Sequence, residues 1–370
     1  MDKKYNLALR RIRSINVNDL NKIVDGGDMA SRIKNNIVNS SSFLGNGQKI
    51  VKSIGGRNKT NIVFEKPRPD KSFLTTVNAK FIKIDIPEKG SFNAGLVELD
   101  DDHYVCVYRP NEQRFIGCIL DKDYKVVDKS YHKFHINKCS DPRLIWTKDN
   151  QLLMIYAYVE GNKYETEYMR GTVIMDNRSS GKFIEGKSFR ISPDSMNSRQ
   201  KNWMPFDYKG RIHVISSVCP HEVYEIDNNF NCKKVFATSW ASPWKIDANL
   251  RGNTNAVRLD DGNYLGTFHT AMINMQKHHY DNGVYLFSGE PPFKVLKCAN
   301  RTYLPADAAC EMHFRKQNEI ACIFPIGMVR KKDKIIISYG DNDSVVKIAE
   351  YKLQDLLSTM VSVHLEDMVC

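Results

Sequence analysis

Asp141-Pro142-Arg143 carries the sharpest chemical signal in the chain. Proline fixes its own φ and biases the preceding residue toward an extended backbone, so Asp141 is expected to be held rather than loose. Arg143, two residues on, can tune that carboxylate or grip an anionic group with two hydrogen bonds. A simple turn with an Asp–Arg ion pair is the plain structural alternative. A held carboxylate beside cations can move a proton where negative charge develops.

Other clusters supply complementary groups. Lys201-Asn202-Trp203-Met204-Pro205-Phe206 puts a cation, an amide and an indole together. Amide and aromatic face are what a pyranose ring needs, one for its hydroxyls and one for its C–H face. A Trp203 packed between repeats is the alternative. Trp240 and Trp244 are further candidates for stacking on sugars. His221 follows Cys219-Pro220, Arg251-Gly252-Asn253-Thr254 adds a cation and a close backbone approach, and His269 ends an apolar run.

Asp341-Asn342-Asp343 has the D-x-D form that holds a divalent metal against a nucleotide diphosphate. Asp100-Asp101-Asp102 and Asp121-Lys122-Asp123 have it too, so Asp341 reads better as a sugar-hydroxyl ligand. No His/Cys/Asp cluster has metal spacing. No P-loop, dinucleotide fingerprint or nucleophile elbow occurs, so neither a metal nor a cofactor is expected.

These clusters recur every forty to sixty residues, each beside a pair of apolar, alternating runs such as Tyr104–Arg109, Leu152–Tyr156, Ile212–Ser216, Tyr264–His269 and Ile335–Asp341. Five units too small to bury their own apolar faces must share a core, and a closed ring of blades does that. The expected fold is therefore all-β: a five-bladed propeller over residues 76–370, with blades near 78–128, 129–195, 196–243, 244–303 and 304–352. Leu353 to Met360 reads as a short closing helix. Residues 1–75 form an extension, helical to about residue 35 and then a loop or linker rich in Asn, Ser and Gly.

The 370-residue chain has a net charge of +11 and nine cysteines without a C-x-x-C pair. The charge suits anionic partners, but no basic helix face or nucleic-acid-binding pattern appears. Single cysteines in apolar strand positions behave as small hydrophobes and point to a reduced, cytosolic setting. No leader-like apolar segment or run of 18 apolar residues occurs, so neither export nor a membrane partner is expected.

Taken in order, the motifs resemble glycoside hydrolase family 130, the mannoside phosphorylases and hydrolases, and the related glycosyltransferase family 108. The resemblance runs from about Phe92 to Leu353. It rests on Asn93 to Arg109, Ser140-Asp141-Pro142-Arg143, Lys201-Asn202, Phe268-His269, Tyr280-Asp281-Asn282-Gly283 and Tyr339-Gly340-Asp341-Asn342-Asp343. It implies a five-bladed propeller acting on β-mannosides with inversion, with Asp141 as catalytic acid/base. Arg109, Lys201, Asn202, His269, Tyr280 and Asp343 would line the sugar and anion subsites. One departure stands out: the His-Arg pair that helps the phosphorylases hold phosphate is replaced by Ser216-Ser217-Val218-Cys219-Pro220-His221. That departure weakens the phosphorylase reading and moves weight to a transferase or hydrolase, and the leading expectation is an inverting mannosyltransferase using a nucleotide sugar or sugar phosphate and a glycan acceptor. A phosphorylase or hydrolase of the same fold is the alternative, and a non-catalytic glycan- or protein-binding propeller the alternative from another class.

Overall fold

The computed structural model describes residues 77–363 apart from residues 89, 111–113, 161–166, 194–199, 228, 245–249, 275–276 and 305–321, together with residues 50–52 and 62–64. The chain divides into two compact units, Met1–Ser72 and Phe73–Cys370. In the first unit, Ile50–Lys52 pairs antiparallel with Ile62–Phe64, within the stretch expected to be a loop or linker. The helices expected before residue 35 lie outside the described residues.

The second unit is a five-bladed propeller. Blade one pairs Phe92–Glu98, His103–Arg109, Arg114–Asp121 and His132–Asn137 in sequence order. Blade two pairs Cys139–Trp146, Leu152–Val159, Glu167–Met175 and Phe189–Arg190. Blade three pairs Met204–Tyr208, Arg211–Ser217, His221–Ile226 and Cys232–Thr238. Blade four is built on Leu250–Gly252, Tyr264–Asn274, Lys277–Phe287 and Val295–Ala299. Blade five pairs Ile323–Lys331, Lys334–Asp341 and Val345–Lys352 with Ala79–Lys83.

Two blade boundaries differ from expectation. Ala79–Lys83 is the outer strand of blade five, so the two ends of the propeller sequence close one sheet. His132–Asn137 completes blade one rather than opening blade two. Both strands are half-buried or exposed along their length except at Phe134, a pattern that outer strands share and that names no partner. The closing helix is shorter than expected, Leu353–Leu357, and the chain then adds Met360–Ser362 to the edge of blade four.

Strand periodicity explains the core. In blade one Tyr104, Cys106 and Tyr108 pack toward blade five, while Val105 and Val107 pack toward blade two. Successive strand residues point to opposite faces, so each central strand fills two seams at once. The buried apolar residues accordingly form five clusters, one between each pair of neighbouring blades. All five first strands begin at the same end of the ring, here called the upper end.

Candidate active site

At the upper end, Asn93, Asp141 and Asn202 head the first strands of blades one, two and three, with φ of 52°, 58° and 65°. A side-chain-bearing residue adopts this left-handed backbone rarely, and Asn and Asp tolerate it best. The strand registers break between Phe92 and Gly95 and between Ser140 and Arg143. Such bulges re-aim a side chain out of the strand alternation. Asp141 thus departs from the extended backbone expected before a proline. Asn93 Nδ2 donates to Asp141 Oδ1 at 3.0 Å, and Arg143 Nη1 donates to the Asp141 carbonyl at 3.0 Å. Asp141 is 6% exposed.

Arg143 is fully buried and does not face a ligand. Its Nε donates to the Asn253 carbonyl of blade four, and its Nη2 reaches Asn202 Oδ1 of blade three at 3.4 Å. Burial lowers its pKa to about 10, opposed by the Asp141 charge. This corrects the expectation of an anion ligand: the guanidinium's rigid fork ties three blades together.

Blade four contributes the second half of the centre. His269 Nδ1 lies 2.5 Å from Asn253 Oδ1, Asn253 Nδ2 donates to Asn282 Oδ1 at 3.1 Å, and Asn282 Nδ2 donates to the Ile323 carbonyl at 3.0 Å. This amide relay assigns the His269 proton to Nδ1 and leaves Nε2 an acceptor. Burial drives the His269 pKa well down, and the charges of Arg251, Lys201 and Arg143 push the same way. The ring is therefore neutral. Its centroid lies 4.6 Å from that of Tyr280 and 5.1 Å from that of Phe324.

The half-buried Tyr280 hydroxyl has a raised pKa, from burial first and then from Cys322, Asp141 and Asp343, with Arg251 opposing. Asp141, Asp343 and Arg251 therefore all act on one phenol. Lys201 is half-exposed next to Asn202. Half-exposed Arg109 stacks 5.0 Å over Phe92, and its buried Nε has no hydrogen-bond partner among the described residues.

Several expected ligands lie elsewhere. Trp203 is fully buried in the seam between blades two and three, its ring 5.3 Å from Tyr224 and its Nε1 bonded to Gln200. Trp240 and Trp244 donate to the backbone carbonyls of Val218 and Ala299, inside or against the seam between blades three and four. His221 is buried against Tyr285 and Phe287, and burial lowers its pKa to about 3. None of these four presents its ring to a sugar. Asp341 is also buried, with Oδ2 2.9 Å from Lys347 Nζ and Oδ1 accepting from Asn342 Nδ2 at 2.8 Å. A buried carboxylate with both oxygens engaged serves the blade rather than a sugar hydroxyl. Asp343 is exposed in the same turn.

Two residues not assigned a role from sequence shape the centre. Asn282 extends the His269–Asn253 relay to blade five. Gly340 lies directly against Asn93, where a Cβ would collide with the Asn93 amide. Both stand inside motifs quoted above, but adjacency to a motif does not reveal which neighbour touches what. Among the described residues no group of His, Cys, Asp or Glu is placed to hold a metal. No helix among them is long and apolar enough to cross a membrane.

A five-bladed propeller with a held carboxylate, cations and amides at one axial end defines a carbohydrate-active enzyme. The family model described as β-1,4-mannooligosaccharide phosphorylase matches residues 121–362, more than half of the chain, and the chain belongs to glycoside hydrolase family 130. No curated protein matches it. Among solved structures it is similar to β-1,2-mannobiose phosphorylase from Listeria innocua in complex with β-1,2-mannobiose, with 14% identity, TM-score 0.52 and coverage of 75% of this chain and 92% of that one. It is also similar to a glycosyl hydrolase from Bacteroides ovatus, with 12% identity, TM-score 0.52 and coverage of 72% and 85%. Identities this low speak for the fold alone. The family match favours the phosphorylase or hydrolase alternative over the transferase expectation, and no comparison supports a nucleotide-sugar donor.

Proposed function

We propose that this protein cleaves β-mannosidic bonds with inversion, using inorganic phosphate as the attacking group. The observation that carries the reading is the Asn93–Asp141 pair: a buried carboxylate held by a neighbouring blade, beside a phenol that also feels Arg251. Asp141 gives a proton to the leaving glycosidic oxygen, directly or through a sugar hydroxyl. A phosphate oxygen attacks the anomeric carbon from the opposite face, through an oxocarbenium-like transition state. The β-mannoside thereby becomes α-mannose 1-phosphate and a shortened glycan.

Arg109, Lys201 and Arg251 supply positive charge for the phosphate and Asn202 an amide for sugar hydroxyls. His269 accepts a hydrogen bond from a sugar hydroxyl at Nε2, and Tyr280 offers a ring face and a hydroxyl. With His221 inside a blade seam, the phosphate is gripped by these arginines and lysine rather than by a His-Arg pair. Hydrolysis is the second reading, favoured by the missing Arg after the blade-three strand. The deciding assay incubates β-1,2- and β-1,4-mannobiose with and without phosphate. Mannose 1-phosphate released only with phosphate supports the proposal; free mannose at the same rate without phosphate establishes the hydrolase, and no turnover of either disaccharide ends both readings.

A further inference from the structure

Blade two presents a second polar surface outward from Asp141. Its first three strands set Cys139, Tyr158 and Tyr168 in register as successive cross-strand neighbours. This row starts two residues before Asp141 and runs away from the axis. At roughly 4.8 Å per strand, Tyr168 stands about 10 Å outward from the first strand.

Directly opposed residues share a face of the sheet, and the Tyr158 and Tyr168 rings lie 5.4 Å apart. The Arg170 guanidinium lies 4.8 Å over Tyr158, and that of Arg190 lies 4.3 Å over Tyr168. Deeper on the same face, Tyr156 packs edge-on against Phe115 of blade one. The seam between blades one and two therefore opens upward into two half-buried tyrosines, each carrying a guanidinium.

Arg170 is the informative member. Its Nε is buried and has no hydrogen-bond partner among the described residues. That nitrogen is closed to solvent, so a ligand meets the half-buried guanidinium at its terminal Nη nitrogens, where an anion offsets part of the cost of the desolvated charge. Two carboxylates stand nearby in sequence. Glu160 is exposed at the edge; burial first and then Glu160 raise the Tyr168 pKa, against the charges of Arg170 and Arg190. Glu167 is buried, and by strand alternation its side chain takes the opposite face.

We propose that this platform is a subsite for the outer sugars of an extended mannoside that carries a phosphate group. The tyrosine rings take the apolar faces of the sugars and Arg170 takes the phosphate oxygens. The inference rests on the mannoside reading of Asp141 and enlarges its substrate from a disaccharide to a charged oligosaccharide.

Titration calorimetry tests it without requiring turnover, using β-linked mannotetraose with and without a phosphate on its outermost residue. The phosphorylated tetraose is expected to bind about tenfold tighter at low salt. Arg170→Gln brings the two affinities together, Arg170→Lys restores part of the difference and shows that the fold survives, and Tyr168→Ala weakens both ligands. Equal affinities for the two tetraoses in the unmodified protein overturn the proposal. So does inorganic polyphosphate binding as tightly as the phosphorylated tetraose, since that marks a general polyanion surface. Turnover of mannobiose alongside a failed titration sinks the platform alone; absence of mannobiose turnover sinks the reaction itself.

Discussion

Asn93 of blade one donates its amide to Oδ1 of Asp141 in blade two across 3.0 Å, from a residue 48 positions away. Both residues stand in the left-handed backbone region. A buried hydrogen bond of this kind is worth about 0.5–1.5 kcal/mol, enough to bias a carboxyl group's orientation.

Asp141→Asn is expected to reduce kcat by at least about a hundredfold, the scale of lost general acid catalysis. Asn93→Leu, which keeps the volume and removes the donor, is expected to cost about tenfold in kcat with a smaller change in KM. Initial rates over a range of mannobiose concentrations measure both. Equal kcat for the unmodified protein and Asp141→Asn would remove Asp141 from the reaction.

Gly340→Ala presses a methyl group against the Asn93 amide. Because Asn93 sets Asp141, kcat is expected to fall about tenfold, together with a stability loss of about 1–3 kcal/mol for overpacking. Steady-state rates and urea unfolding on the same preparation separate the two effects. A variant with lower stability and unchanged kcat would disconnect Gly340 from the carboxylate.

Arg143→Lys keeps the charge and loses the fork that reaches Asn253, Asp141 and Asn202. A lysine cannot serve three acceptors from three blades in that geometry. We expect a loss of about 3 kcal/mol in urea unfolding. The residual activity is expected to show a lower kcat without the charge-dependent rise in KM that a ligand-binding arginine gives. Full activity at unchanged stability would end the strut role of Arg143.

His221 has a folded pKa of about 3, lowered by burial, against about 6.5 when unfolded. Between these values the unfolded chain binds the extra proton, so stability rises with pH and is lost as pH falls below about 6.5. The slope per such histidine is about 1.4 kcal/mol per pH unit. His213 and His269, also lowered chiefly by burial, act in the same direction. His221→Phe, placed among Tyr285 and Phe287, is expected to flatten the slope by one histidine's share. Urea midpoints between pH 4 and 7 measure it, and an unchanged slope would place His221 in contact with water.

Much of the architecture was legible because strand alternation is local. Tyr104 to Tyr108 shows on its face that one strand fills two seams, and five such runs imply five seams. Pairing partners were less legible: Ala79–Lys83 belongs to blade five, 240 or more residues further along, and nothing in five half-buried or exposed residues names that partner. Asp141 stood out through its proline and arginine, and the motif order drew attention to Asn93, Asn202, His269 and Tyr280. Trp203, Trp240, Trp244 and His221 misled for one reason. Indole and imidazole rings serve equally well in a packed seam, and residue type does not say which way a ring points.

From its own letters the chain determined that it would build repeated two-faced strands and hold one carboxylate near several cations and amides. The tertiary structure alone decided that the carboxylate answers to Asn93, that Arg143 is a strut and that Asp341 pairs with Lys347. The reason is physical. A side chain's chemistry is set by the groups within a few ångströms of it, and in a closed ring those groups arrive from other blades.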